Sequence, residues 1–194
     1  MLSIRHAKLP PLRAIVLAIH AGLGLSAWAL PQGATVVNGQ VAVTQAAPGS
    51  QVIKASNGAI IHWKQFSIGA GETTQFVQPS NSSAVLNRVV GPDISQLLGQ
   101  LKANGQVFLI NPRGIVIGGA ARIDTNSFVA STLDMADADF LAGKLRFFAS
   151  SGAGRVRNDG VITAGPGGRI ALIAPDKNPR PRGAGYSEQP WLKI

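Results

Sequence analysis

The sequence contains no cysteine. That excludes disulfide staples, thiol catalysis and cysteine-built metal sites, so the fold must rest on core packing and hydrogen bonds. Charged residues supply only 14% of the 194-residue chain and aromatic residues 6%, whereas glycine occurs 23 times. Scarce charge with abundant glycine favours many short strands and tight turns over amphipathic helices. No apolar run reaches the roughly 20 residues needed to span a bilayer, so stable membrane insertion is not expected.

The first 29 residues read as a segment apart from the fold. Arg5, Lys8 and Arg13 precede an apolar stretch from Ala14 to Leu25, and Ala27-Trp28-Ala29 follows with the small-x-small pattern a signal peptidase accepts. This is the pattern of a secretory signal, with Ala27 and Ala29 flanking the cleavage site and Leu30 as the first mature residue. Its removal leaves 15 Lys and Arg against 9 Asp and Glu, a net charge of +6. That charge is scattered, without the basic stripe and interleaved aromatics of a nucleic-acid surface, so no nucleic-acid partner is expected.

From Leu30 onward, turn dipeptides precede runs of strand formers. Asn38-Gly39, Asn57-Gly58, Asn104-Gly105 and Asp159-Gly160 introduce Gln40 to Thr44, Ala59 to Trp63, Gln106 to Ile110 and Val161 to Ala164, as expected where residues tolerating φ > 0 open a strand after a corner. A unit of about 20 residues fits the first pairs, which suits a β-solenoid. An antiparallel sandwich shares the short strands and frequent turns. Residues 158–174 hold strand, glycine corner and strand; Gly165 to Gly168 is a turn, since no Lys-Ser/Thr or helix follows as a phosphate loop requires. Ser95 to Leu101 suits either a short helix or a buried strand. Asp134 to Gly143 predicts one or two helical turns. After Ala174 the spacing of Pro175, Pro179, Pro181, Gly183 and Gly185 removes any β period, so residues 30–175 form the domain and 176–194 a loose tail.

Catalytic groups are sparse. His62 is the one histidine beyond the signal, and Ile61 and Trp63 beside it suggest an ordinary strand position. Asp134, Asp137 and Asp139 are the one acidic cluster. They allow a carbohydrate-active enzyme on a β-helix, resembling a polysaccharide lyase, but also fit capping and dipole roles at a helix start. No cofactor or metal site is expected.

Several ordered motifs resemble one family. Residues 84–89 (AVLNRV), 101–115 (LKANGQVFLINPRGI), 128–132 (FVAST), 140–143 (FLAG) and 168–174 (GRIALIA) closely resemble the N-terminal two-partner secretion, or haemagglutination activity, domain of filamentous-haemagglutinin-like exoproteins. The resemblance covers about Leu30 to Pro175. It implies a right-handed parallel β-helix with an N-terminal cap and extra-helical strands. It implies no enzymatic activity. The implied partner is an outer-membrane β-barrel transporter whose periplasmic domains bind the exoprotein, which leaves a Gram-negative cell unfolded and folds at the surface or in the medium. Adhesin, haemolysin and growth-inhibition proteins begin with such domains, so a host-cell or carbohydrate ligand is implied for the larger protein.

The family's commonest corner reads Asn-Pro-Asn-Gly-Ile; here it is Asn111, Pro112, Arg113, Gly114 and Ile115. These five residues are carried over as a transporter-recognition or folding turn, with Asn87, Arg88, Asn104 and Gly105 as a secondary motif. The family's second motif, Asn-Pro-Asn-Leu, has no match at Gln78-Pro79-Ser80-Asn81. Family members continue for many hundreds of residues, so this length is expected to be a truncation or a short stand-alone form. As a plain turn, Pro112 fixes φ, Asn111 bonds back to the backbone, and Gly114 relieves steric limits. N-terminal sequencing of the exported protein is expected to begin at Leu30; a start at Met1 would refute the signal.

Overall fold

The computed structural model describes residues 29–149 and 152–175; the expected leader up to Trp28, with Ala27, and the expected tail lie outside them. The chain opens with β1 (Thr35–Asn38) and β2 (Val41–Ala47), followed by β3 (Ser50–Ala55) and β4 (Ala59–Trp63). A second turn is built from β5 (Thr73–Val77), β6 (Ala84–Val89) and β7 (Ser95–Leu97). A third follows with β8 (Gln100–Ala103), β9 (Gln106–Ile110) and β10 (Ile115–Ile117). The fourth begins with β11 (Arg122–Thr125) and β12 (Ser127–Ser131), then leaves the coil through β13 (Asp134–Met135), α1 (Asp137–Leu141) and β14 (Phe147–Phe148). It returns in β15 (Val156–Asn158), and β16 (Val161–Ala164) and β17 (Ile170–Ile173) start the next turn.

Successive turns lie in parallel register. One sheet runs β1-β4-β6-β9-β12-β17, a second β16-β11-β8-β5-β3-β2, and a third β15-β10-β7, while β13 and β14 form a separate hairpin. The chain is therefore a β-solenoid of about four turns. Ladder partners Ser50, Thr73, Gln100, Arg122 and Val161 are 23, 27, 22 and 39 residues apart. The long last interval holds the excursion through α1, and this unevenness is why the sequence shows only a loose period. At the N-terminal end the parallel stack stops: β1 pairs with β4, and β2 with β3, antiparallel.

Alternation along each strand sorts side chains into columns. Ala59, Val85, Val107 and Phe128 stack inward from turn to turn, as do Ile61, Asn87, Leu109 and Ala130, and every one is buried. The outward column Ile60, Leu86, Phe108 and Val129 is also buried, because Met135 and Phe140 from the excursion cover it. Phe140 meets Phe108 edge to face, with ring centres 5.4 Å apart. Both faces of the first sheet are thus apolar over this stretch, which explains its continuous Val, Phe, Leu and Ile runs.

Several local expectations are refined. Ala59–Trp63, Gln106–Ile110 and Val161–Ala164 are strands with the bounds read from sequence, and β2 starts one residue later than expected. Ser95 to Leu101 is not a helix: it divides into β7 and the start of β8 around a corner at Leu98-Gly99. The stretch from Asp134 is part strand before it becomes helix. Of the four turn dipeptides, only Gly39 and Gly58 take positive φ. Gly105 and Gly160 serve close approach instead, since an added Cβ would sit 2.6 Å from the Ser83 and Gly118 carbonyl oxygens respectively.

Close stacking at corners is the strictest demand on sequence. At Gly91 an added methyl would overlap the Lys64 carbonyl of the preceding turn, so Gly91→Ala is expected to destabilise the domain by about 1–3 kcal/mol. Gly119, with its nearest atom 3.8 Å away, should accept alanine within about 0.5 kcal/mol. Urea denaturation of both variants checks the contrast; equal losses would refute it.

Candidate functional site

The corner between β9 and β10 is held by one wholly buried side chain. Asn111 has no solvent exposure. Its Oδ1 accepts the Arg113 N–H at 2.9 Å, the local loop expected of asparagine before proline, and its carbonyl accepts the Gly114 N–H at 3.1 Å. The same side chain reaches the preceding turn: Nδ2 donates to the Asp93 carbonyl at 3.0 Å and to Ser95 Oγ at 2.9 Å. Its backbone N–H donates to the Ser131 carbonyl of the following turn at 2.9 Å.

Neighbouring residues complete the clamp. Pro112 offers its carbonyl to the Gly154 N–H at 2.7 Å, and the Gly114 carbonyl accepts the Ser95 N–H at 2.9 Å. Gly114 adopts φ +139°, a conformation that L side chains rarely adopt. Ile115 has no exposure and donates its N–H to the Arg155 carbonyl at 3.0 Å. Arg113 alone points to solvent. Three successive turns therefore meet at Asn111 to Ile115, and the one position that departs from the family's usual corner is the exposed one.

The secondary motif residues fall into two other clusters. Asn87 is fully buried inside the solenoid, accepting the Trp63 indole N–H at 2.9 Å and donating to the Phe108 carbonyl at 3.2 Å. Asn104 exchanges two hydrogen bonds with the Gln78 backbone of the preceding turn, at 2.8 and 2.7 Å. Gly105 leaves room for the Gln78 side chain, whose amide donates to the Ser83 carbonyl at 2.7 Å.

Arg88 faces outward and pins the excursion. Its Nε meets Asp134 at 2.9 Å, Nη1 meets Asp137 at 2.7 Å, and Nη2 donates to the Met135 carbonyl at 2.6 Å. His62 Nε2 lies 3.0 Å from Nη1 on the adjacent strand. Burial opposes the guanidinium charge, but hydrogen bonds and Coulomb attraction from Asp137 and Asp134 outweigh it, raising the Arg88 pKa above its ordinary value. The expectation that these aspartates cap α1 is corrected: the N-cap is Ala136, no side chain caps the helix, and Asp134 and Asp137 neutralise Arg88. Nothing in the sequence near Arg88 announces partners 46 and 49 positions away.

A groove of about 490 Å³ runs between the first sheet and α1, lined by Asn57, Gln106, Phe108, Asn126, Leu141 and Arg169 among others. No carboxylate or histidine lines it, so the acidic cluster and this groove are separate, an arrangement that does not favour a carbohydrate-active site here. Among the described residues no group of three or more His, Asp or Glu is placed to hold a metal, and no helix is long and apolar enough to cross a membrane. Arg88→Ala is expected to free the excursion. Loss of its charged hydrogen bonds should cost about 1–3 kcal/mol, tempered by the partial exposure of both aspartates, and limited proteolysis should cut first within residues 134–148. Unchanged cutting would refute the clasp.

The model of the TPS secretion domain family matches residues 27–187. A heme/hemopexin-binding protein of Haemophilus influenzae strain Rd is 36% identical over 129 residues, covering 66% of this chain and 14% of that protein. A second heme/hemopexin-binding protein from Haemophilus influenzae is 38% identical over 106 residues, covering 54% of this chain and 11% of that protein. The chain thus spans only a small part of these curated relatives. The crystal structure of the HMW1 secretion domain from Haemophilus influenzae superposes with a TM-score of 0.71 and 45% identity, covering 74% of this chain and 39% of that one. With the solenoid and the clamped corner, these findings establish that the chain belongs to the family of two-partner, or TPS, secretion domains of secreted exoproteins.

Proposed function

We propose that this domain addresses a haemagglutinin- or adhesin-type exoprotein to its cognate outer-membrane β-barrel transporter. In this reading the transporter's periplasmic domains bind the unfolded chain after signal removal. The chain then emerges from a Gram-negative cell and folds at the surface, and any host-cell or carbohydrate ligand is met by the larger protein. The domain performs no catalysis. Family membership supports the secretion role; the single observation that carries the role of the corner is the burial of Asn111 between three turns.

That burial constrains the mechanism. A transporter can touch the Asn111 side chain only before the domain folds, because afterwards all its polar atoms are bonded internally. The corner therefore acts either on the unfolded chain or as the fastening that lets each emerging turn settle on the last. Stacking one turn on another buries apolar surface locally, so folding beyond the pore proceeds without an energy source in the medium. The absence of cysteine leaves no cross-link to obstruct threading.

The experiment is co-expression with the cognate transporter. An Asn111→Ala, Gly114→Ala double variant is expected to lose at least about tenfold of its extracellular yield, since truncating a buried, multiply bonded side chain costs roughly 1–3 kcal/mol for each orphaned group. Arg113→Asn should be exported normally. Refolding the purified double variant separates the two routes: slow refolding marks the fastening role, normal refolding marks recognition. Export of the double variant at normal yield would overturn the assignment.

A further inference from the structure

Glu72 is a buried carboxylate with no cation beside it. Its residue is 3% exposed, and no Lys, Arg or His lies within ion-pair distance among the described residues. The carboxylate accepts two backbone N–H groups, from Ala29 at 2.8 Å and from Gly69 at 2.5 Å. Its own N–H and carbonyl are fixed to the Gly69 carbonyl and the Gln100 N–H, so the group is held in place at the corner before β5. An ionised carboxylate out of water is stabilised by a paired cation or a full set of donors, and two amides leave about half its acceptor capacity unused.

One of those amides belongs to Ala29, the residue before the expected cleavage bond. Leu30 and Pro31 are buried, the Pro31 carbonyl accepts the Gln51 amide at 3.1 Å, and the Gln32 N–H donates to the Gln65 carbonyl at 2.9 Å. The chain immediately after the bond is therefore docked on the solenoid. Hydrolysis adds the hydroxyl of water to the Ala29 carbonyl and a hydrogen to the Leu30 nitrogen. The released amine takes up a proton near neutral pH. The new ammonium lies one residue, about 3.8 Å of chain, from the amide that Glu72 holds.

We propose that Glu72 is the receptor for the α-ammonium group that signal removal creates at Leu30, an ion pair that fastens the N-terminal segment only in the processed chain. In the uncleaved precursor the backbone at this bond offers the carboxylate a neutral amide, that of Ala29. Processing thus supplies the missing charge and completes the N-terminal cap. The proposal rests on the export reading above, with cleavage after Ala29.

The test uses the secreted, purified protein. Mass spectrometry of its N-terminus must give Leu30; any other start overturns the pairing. Transamination with pyridoxal phosphate converts the α-amine to a neutral ketone and leaves lysines intact. This should raise the unfolding equilibrium constant about tenfold in the wild type and leave the Glu72→Gln protein nearly unchanged. Equal effects in both overturn the proposal. If Glu72→Gln does not fold, the wild type alone decides: the amine should react at least about tenfold more slowly in the native protein than in urea, and equal rates refute the pair. A Leu30 start without coupling or protection sinks this inference and leaves the secretion role standing.

Discussion

Every part of this molecule depends on the parallel ladder between successive turns. Because each strand of the parallel coil bonds to the strand one turn earlier, a residue's neighbours are set by a register 22 to 39 residues away, not by its own segment. That register aligns the apolar columns, places Asn111 between Ser95 and Ser131, and brings Arg88 under the excursion. In the second sheet, a shift of one residue would turn the inward Leu101 and Ile123 out and bury Lys102 and Asp124. The tight corners enforce the register, since at Gly91 and Gly105 the preceding turn occupies the space of a side chain.

Polar residues inside the stack serve the same end. Asn87 and Asn111 are both fully buried, and each has its side-chain oxygen and nitrogen bonded. An apolar residue at either place would be easier to bury but would leave the Trp63 indole or the Asp93 carbonyl without its partner. These groups make the correct stacking distinguishable from near-equivalent slips of an otherwise uniform apolar column.

Local signals in the sequence were enough for several strands and their corners. Ala59–Trp63 and Gln106–Ile110 could be read because turn residues bracket β-branched runs, and the family motif fixed the solenoid where periodicity alone left a sandwich open. Ser95 to Leu101 could not be read: leucines at one and four positions fit two periods, and only the Gly99 corner, packed against the Gly69 and Glu72 carbonyls, decides for strands. The aspartates misled for a related reason. Asp137 and Asp139 do sit in the first turn of α1, yet what Asp134 and Asp137 bind is an arginine on another strand, a partner no local pattern encodes. Glu72 gave no signal at all, because its importance lies in burial.

The antiparallel closure at the N-terminal end finishes the stack. β2 lies along β3 and β1 along β4, each in the opposite sense, so the outer edge of the first parallel turn is already paired. An open edge there would be a template for a second coil or another chain, the hazard that capping units remove from stacked repeats. On the other side β16 and β17 are bonded in parallel to the turn before, in the register that a further turn would continue. Growth of the coil thus has one direction, away from the cap.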